Sequence, residues 1–246
     1  RGLVGSEMCI RDRISMKQFI GQKYEKISQI TIDIIKNNWK SYSLLLLVFI
    51  LMYTVYGQNN DIPLKITLAL FLVGIFLISI PPLKIEYRVF IFILFTGIAS
   101  ASLSPINDIP DEPVHYQRSL FLSEGELNLS NKTSNLKESE DFTYVDTEQG
   151  VPIQKSRLKS ISPNKKEVAN DRLTVTNAYY IFGYLPQAIG LKIGNLLNIS
   201  IAFSYLLGRV FNVIVYAILV FIAVKISGQL LSLIHISEPT RPLYIS

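Results

Sequence analysis

Soft and imidazole ligands are nearly absent from this 246-residue chain, which carries one cysteine, one tryptophan and two histidines. That scarcity leaves too few ligands for a zinc, haem or iron–sulfur centre built from the chain itself. Charge is scarce as well: charged residues make up 17% of the chain against 49% hydrophobic, a balance outside the range of ordinary soluble domains. The formal net charge of +5 does not mark a nucleic-acid surface, because the basic residues cluster beside apolar runs instead of interleaving with aromatics. What is abundant is long uncharged sequence. The expected class is an all-α integral membrane protein with several spans.

The two ends stand apart from the rest. Residues 1–13, RGLVGSEMCIRDR, and 232–246, SLIHISEPTRPLYIS, resemble translated sequencing-library adapter and are set aside from the fold reading. Between them the chain has no cysteine and one histidine, His115, so no disulfide framework can form. Met16 is the expected start, and a truncated protein is expected because no natural C-terminus is recognisable before the second adapter-like segment.

Residues 14–40 are basic, with Lys17, Lys23, Lys26, Lys36 and Lys40 against Glu25 and Asp33, and Ile27, Ile30, Ile34 and Ile35 fall at helical spacing. The pattern predicts an amphipathic helix on the cytoplasmic membrane surface, acting as a topogenic signal or presenting a basic face to a partner. Three uncharged runs follow within 41–107, Ser41 to Asn60, Ile66 to Leu83 and Val89 to Asn107, each near the length that crosses a hydrocarbon core of about 30 Å. The short basic turn at Lys84, Glu86 and Arg88 shares the cytoplasmic side with the N-terminus, so the third helix exits outward. Residues 108–178 form a long external loop with an acidic motif at its start, and Ser130 to Arg172 is expected to be flexible. The segment 179–199, broken by Gly183 and Pro186, is expected to lie at the interface or re-enter the membrane, and 200–227 is a fourth span containing Arg209. Arg209 sits at the rim if that span begins near Gly208, and about 14 Å deep if it begins near Ser200.

The chemistry concentrates in Asn107 to Arg118, NDIPDEPVHYQR, just beyond the third helix. Pro113 suits the first turn of a helix, where its missing donor is harmless, which puts Asp111 or Glu112 at the cap and His115 one turn on. Acids beside the one histidine, where water meets the bilayer, suit a reaction on a lipid-borne substrate. The plainer alternative is that Asp111 and Glu112 cap a juxtamembrane helix and pair with His115. Arg209 has a similar pair of readings, a bidentate grip on a phosphate or snorkelling to the interface. The aromatic YIFGYLPQ segment would line a sugar or lipid groove, or anchor tyrosines at the interface.

The string PDEPVHYQRSLFLSEGEL after a hydrophobic helix, with YYIFGYLPQAIGLKIG and YLLGRVFNVIVYAILVFIAVK further on, resembles a bacterial predicted-membrane-protein family of unknown function grouped with the multipass GT-C glycosyltransferases. The resemblance covers roughly Val89 to Ile226, with the first two spans outside its best-matching part. The Asp-Glu pair followed by His is also similar to the first external loop of protein O-mannosyltransferases. That likeness implies a truncated GT-C-like fold, a polyprenyl-phosphate sugar donor, Asp111 as the base that activates the acceptor, and Glu112, His115, Arg118 and Arg209 as substrate contacts. One base is enough for such a transfer, since the departing phosphate needs no proton, unlike the leaving group of a glycosidase. The family pattern continues through more helices than this chain carries, so a site completed by later helices is not represented in it.

The expected function is therefore sugar transfer from a polyprenyl-phosphate donor to an envelope acceptor on the external face of the bacterial inner membrane. Membrane lipids and the donor are the expected partners, with no cofactor and no nucleic acid. The alternative is a non-catalytic scaffold or accessory subunit of cell-envelope polysaccharide assembly. A transporter is disfavoured, because the first three spans carry no charge at mid-depth.

Overall fold

In a computed structural model of the chain, the described residues are 3–56, 64–80, 84–127, 136–163, 167–170, 176 and 179–237, without side chains for 3–21, 136–138, 167–170 and 229–237. The adapter-like ends, 1–13 and 232–246, fall outside the described side chains. The helices are α1 (Leu3–Tyr56), α2 (Leu64–Ile78), α3 (Ile85–Leu103), α4 (Glu112–Glu124), α5 (Glu140–Thr147), α6 (Leu185–Leu196) and α7 (Ile201–Ser237). One small antiparallel pair, β1 (Leu136–Ser139) and β2 (Glu167–Asn170), sets Leu136 opposite Asn170 in the loop between α4 and α6.

Among the described residues three helices, α1, α3 and α7, are long and apolar enough to cross a membrane. The chain is an all-α membrane protein. Helix α2 is apolar but has 15 residues, about 22 Å at 1.5 Å per residue, which is shorter than a hydrocarbon core. Only 6% of α7's apolar window is buried inside the molecule, so Leu219 and Ile222 point outward, where lipid tails are the compatible solvent.

Several boundaries differ from the sequence expectation, each for a local reason. The basic segment and the first span are one unbroken helix, because residues 22–56 contain neither glycine nor proline to interrupt it. The third span ends at Leu103 instead of Asn107: Ser104 precedes Pro105, is pushed into extended backbone (φ −67°, ψ 136°), and stops the helix. The segment expected to be flexible is instead folded wherever it is described. Val145, Ile153 and Leu158 bury themselves in a cluster with Ile106, Tyr116, Leu120 and Tyr205. Backbone bonds tie the segment down as well, Gly150 N–H to Ile106 O at 2.7 Å and Ile201 N–H to Ile161 O at 2.9 Å.

Two layers result. Helices α1, α2 and α3 pack around Leu45, Phe49, Met52, Ala99 and Leu103. Beyond the end of α3, α4 packs on α6 and α6 on α7, and α4 meets α7 through Tyr116 against Tyr205. The approach of α6 to α7 depends on small residues: a Cβ at Gly190 would lie 2.6 Å from the Leu207 carbonyl oxygen, and one at Gly194 would lie 2.6 Å from Ser204 Cβ. Gly190 and Gly194 face Ser204 and Gly208, a small-xxx-small pattern on both helices that lets backbones meet closely.

Candidate functional site

The acidic motif is held by two residues in left-handed backbone, Asn107 (φ 52°) and Asp111 (φ 62°). Asparagine and aspartate are among the few side chains that tolerate this conformation, which explains their place at the two bends of NDIPD. Asp111 then precedes α4, whose first turn contains Pro113 and Glu112. Its backbone carbonyl accepts from His115 N–H at 3.1 Å, while its carboxylate makes no cap hydrogen bond and is exposed.

Glu112 faces the other way. Its carboxylate takes a bidentate fork from Arg209, Nε to Oε1 at 2.8 Å and Nη2 to Oε2 at 2.9 Å, across 97 residues of sequence. Tyr205, one turn before Arg209 on α7, donates its hydroxyl to Glu112 Oε1 at 2.7 Å and accepts from Asn107 N–H at 3.1 Å. Arg209 is 8% exposed, and all three of its guanidinium nitrogens are engaged. Nη1 donates to the carbonyls of Ala101 (3.2 Å) and Ser104 (2.9 Å), and Nη2 to that of Pro105 (2.7 Å).

Those three carbonyls are acceptors that α3 cannot satisfy at its own C-terminus. Ala101 would ordinarily receive the N–H four residues on, but that residue is Pro105, which has none. Arg209 supplies the missing donors, and its charge suits the negative end of the helix dipole. It lies eight residues into α7, about 12 Å along the axis. An unpaired guanidinium at such a position would be costly; here it is fully coordinated.

His115 and Arg118 stand on the adjacent faces of α4. The exposed His115 ring stacks on Tyr184 at 5.8 Å between centroids, with Nδ1 3.0 Å from the Tyr184 hydroxyl. Arg118 is 2% exposed and donates Nη2 to Leu127 O at 3.2 Å, while Nε and Nη1 have no hydrogen-bond partner. Burial pulls the Arg118 guanidinium below its ordinary value, and nearby Tyr184 pushes the other way. Burial also raises the Tyr184 hydroxyl, as does Tyr179, against the charge of Arg118. Ser119 and Gln187 join α4 to α6 through a 2.9 Å hydrogen bond.

Of the residues singled out in the sequence, Asp111, Glu112, His115 and Arg118 share the start of α4, and Arg209 reaches them from α7. Glu112 and Arg209, expected as separate substrate contacts, bind each other. Tyr205, Asn107 and Tyr184 belong to the same constellation; Asn107 and Tyr184 lie in the two segments singled out in the sequence but were not named as site residues, and Tyr205 was not anticipated. Tyr205 had a readable signal, since it lies four residues from Arg209 and shares its helix face. Among the described residues no group of three or more His, Cys, Asp or Glu is placed to hold a metal ion.

A polar, largely buried network at the end of long apolar helices, under a folded layer built from α4, α6 and the loop between them, is the candidate site of this all-α membrane protein. Residues 94–230 match the family described as predicted membrane protein (DUF2142), and the chain belongs to that family. The matched region runs from within α3 into α7, so it contains the acidic motif, the layer above it and Arg209, and leaves α1 and α2 outside. No curated protein and no solved structure matches the chain.

Proposed function

We propose that the protein transfers a sugar from a polyprenyl-phosphate donor, with Asp111 as the general base that takes the acceptor hydroxyl's proton. The observation that carries this reading is the division of labour between two adjacent acids: Glu112 is locked to Arg209 and Tyr205, whereas Asp111 beside it is exposed and leaves its carboxylate out of the helix cap. Glu112 and Arg209 are then positioning residues. They fix the start of α4 to the end of α3, and so fix where Asp111 points. His115 and Arg118 are the proposed substrate contacts, an exposed imidazole and a buried guanidinium with two unpartnered nitrogens.

The GT-C relationship, the cell-envelope acceptor and the polyprenyl donor rest on the resemblance of the PDEPVH string and on this arrangement of acids. The orientation proposed with them is multipass in the bacterial inner membrane, N-terminus cytoplasmic and α4 external, from the lysines in the N-terminal part of α1 and from Lys84 and Arg88 at the start of α3. With Cys9 replaced by serine, a cysteine at the exposed Ser160 is expected to react with an impermeant thiol reagent on intact spheroplasts. Labelling only after lysis reverses the orientation.

The catalytic test is Asp111→Asn, which keeps size and left-handed tolerance but removes the proton acceptor. Transfer from a polyprenyl-phosphate sugar by membranes carrying the full chain should fall by about 10²- to 10⁴-fold, with stability changed by no more than about 1 kcal/mol. The second reading, a non-catalytic scaffold or accessory subunit, is favoured by the extent to which Glu112 and Arg209 serve architecture. It is preferred if Asp111→Asn leaves transfer at the wild-type rate, or if the wild type transfers no sugar.

A further inference from the structure

At the opposite end of α3 from the acidic motif lies a cavity of about 320 Å³ between α1, α2 and α3. Its walls are apolar, including Leu44, Leu77, Val89 and Phe92, and Arg88 is the sole charged residue among the described ones that line it. Arg88 donates Nη1 to Asn38 Oδ1 at 3.1 Å, and its Nε is buried without a partner. Asn38 is itself buried and returns its amide to the Ile34 carbonyl at 3.0 Å. Donating to a neutral amide oxygen leaves the guanidinium charge uncompensated at the edge of an apolar space.

The level of this cavity in the membrane can be read from its surroundings. Lys36, Lys40 and Lys84 are exposed around Arg88, Trp39 is 57% exposed beside Lys40, and Tyr87 is half-exposed next to Arg88. Lysines and amphipathic aromatics at one height mark the headgroup region. The cavity therefore begins where phosphates lie and extends toward the chains.

We infer that this cavity binds one anionic phospholipid of the surrounding leaflet, with its phosphate on Arg88 and part of an acyl chain between α1, α2 and α3. The charge is complementary, since the basic residues at this level outnumber Asp33 and Glu86. The unpartnered Nε beside the Nη groups offers a fork suited to phosphate oxygens. The inference is independent of sugar transfer, which uses the other end of α3.

Native mass spectrometry of the purified, delipidated full chain tests it, with phosphatidylglycerol, phosphatidylcholine or inorganic phosphate added back. Phosphatidylglycerol is expected to give a single retained lipid at about tenfold or higher affinity than phosphatidylcholine, the value of one charge-assisted contact. Arg88→Gln should remove that preference. Leu77→Trp, which fills the cavity and leaves the arginine in place, should lower phosphatidylglycerol occupancy as well. Equal retention of the two lipids, or an unchanged preference in both variants, overturns the site and leaves ordinary annular lipid. Inorganic phosphate displacing the lipid completely would reduce it to a simple anion site, which also overturns the proposal.

Discussion

Helix α3 carries an arginine at each end, and the two are treated in opposite ways. At its C-terminal end Arg209, lent by α7, has a carboxylate fork and three backbone carbonyls, and no nitrogen is left over. At its N-terminal end Arg88 has one neutral amide partner and an unpartnered Nε beside a cavity. Both are guanidinium groups near apolar helix surface, so residue type alone does not separate them. What separates them is how many partners the fold provides. A saturated arginine is part of the architecture, and an unsaturated one is available to a ligand.

The largest effect should come from breaking the saturated end. Arg209→Met removes the charge from a pair whose other member is mostly buried, side chains being 9% and 13% exposed, and also strips three carbonyls of their donor. Loss of one partner of a buried ion pair costs about 3–5 kcal/mol. Unfolding in mixed micelles should show a loss of that size, with part of it restored by adding Glu112→Leu. Arg88→Gln in the same assay should change stability by less than about 1 kcal/mol, the scale of a single neutral hydrogen bond. Equal losses at the two arginines would end the distinction between them.

Legibility in the sequence followed the same divide. Hydropathy located α1, α3 and α7, because an apolar run of span length has few alternatives. The helix start at Pro113 was equally readable from local chemistry, whereas the expected turn at Lys84 to Arg88 proves to be the N-cap and first turn of α3. The pairing of Glu112 with Arg209 was not, since it joins residues 97 apart and depends on how α7 is rotated against α3. The order in the long loop was also hidden: Val145, Ile153 and Leu158, buried, and Phe142 and Ile161, partly buried, anchor it, too few and too scattered to stand out from a polar background. The close approach of α6 to α7 was legible in principle, as Gly190-xxx-Gly194 and Ser204-xxx-Gly208, but glycine in YLPQAIGLKIG also reads as an interruption.

That approach gives an intermediate effect and sharpens the comparison, because it sets how α7 is placed when it presents Arg209. In Gly190→Ala the new methyl would meet the Leu207 carbonyl oxygen at 2.6 Å and Gly208 Cα at 2.8 Å. Both are backbone atoms that cannot swing aside, so α6 must move away. Overpacking of this kind costs about 1–3 kcal/mol. Gly228→Ala, on α7 with nothing within 4 Å of the added methyl, is the control and should be neutral or slightly stabilising. If the two alanine variants unfold alike, the small-residue seam does not position α7.

The smallest effect belongs to an ion pair whose arginine stands in water, which calibrates the arginines at the two ends of α3. Arg157 Nε lies 2.7 Å from Glu148 Oε1 in the loop after α5, with the Arg157 side chain 79% exposed and that of Glu148 6%. Burial on its own would raise the Glu148 carboxyl, but hydrogen bonds from the Arg157 and Ser156 side chains and the Arg157 backbone outweigh it, and the group sits below its ordinary value. A carboxylate depressed in the folded state contributes stability above its unfolded value, about 4.3 for glutamate, and loses that contribution as pH falls through the lower folded value. Solvent screens the exposed guanidinium, so Arg157→Ala should cost less than about 1 kcal/mol at pH 7. The gap between wild type and variant should then close as pH is lowered from about 5 through the depressed folded value, below which Glu148 is protonated in both. A gap that persists in acid would assign the effect to packing of the Arg157 stem, and a gap as large as that of Arg209→Met would mean that burial and saturation are not what makes the other end of the molecule strong.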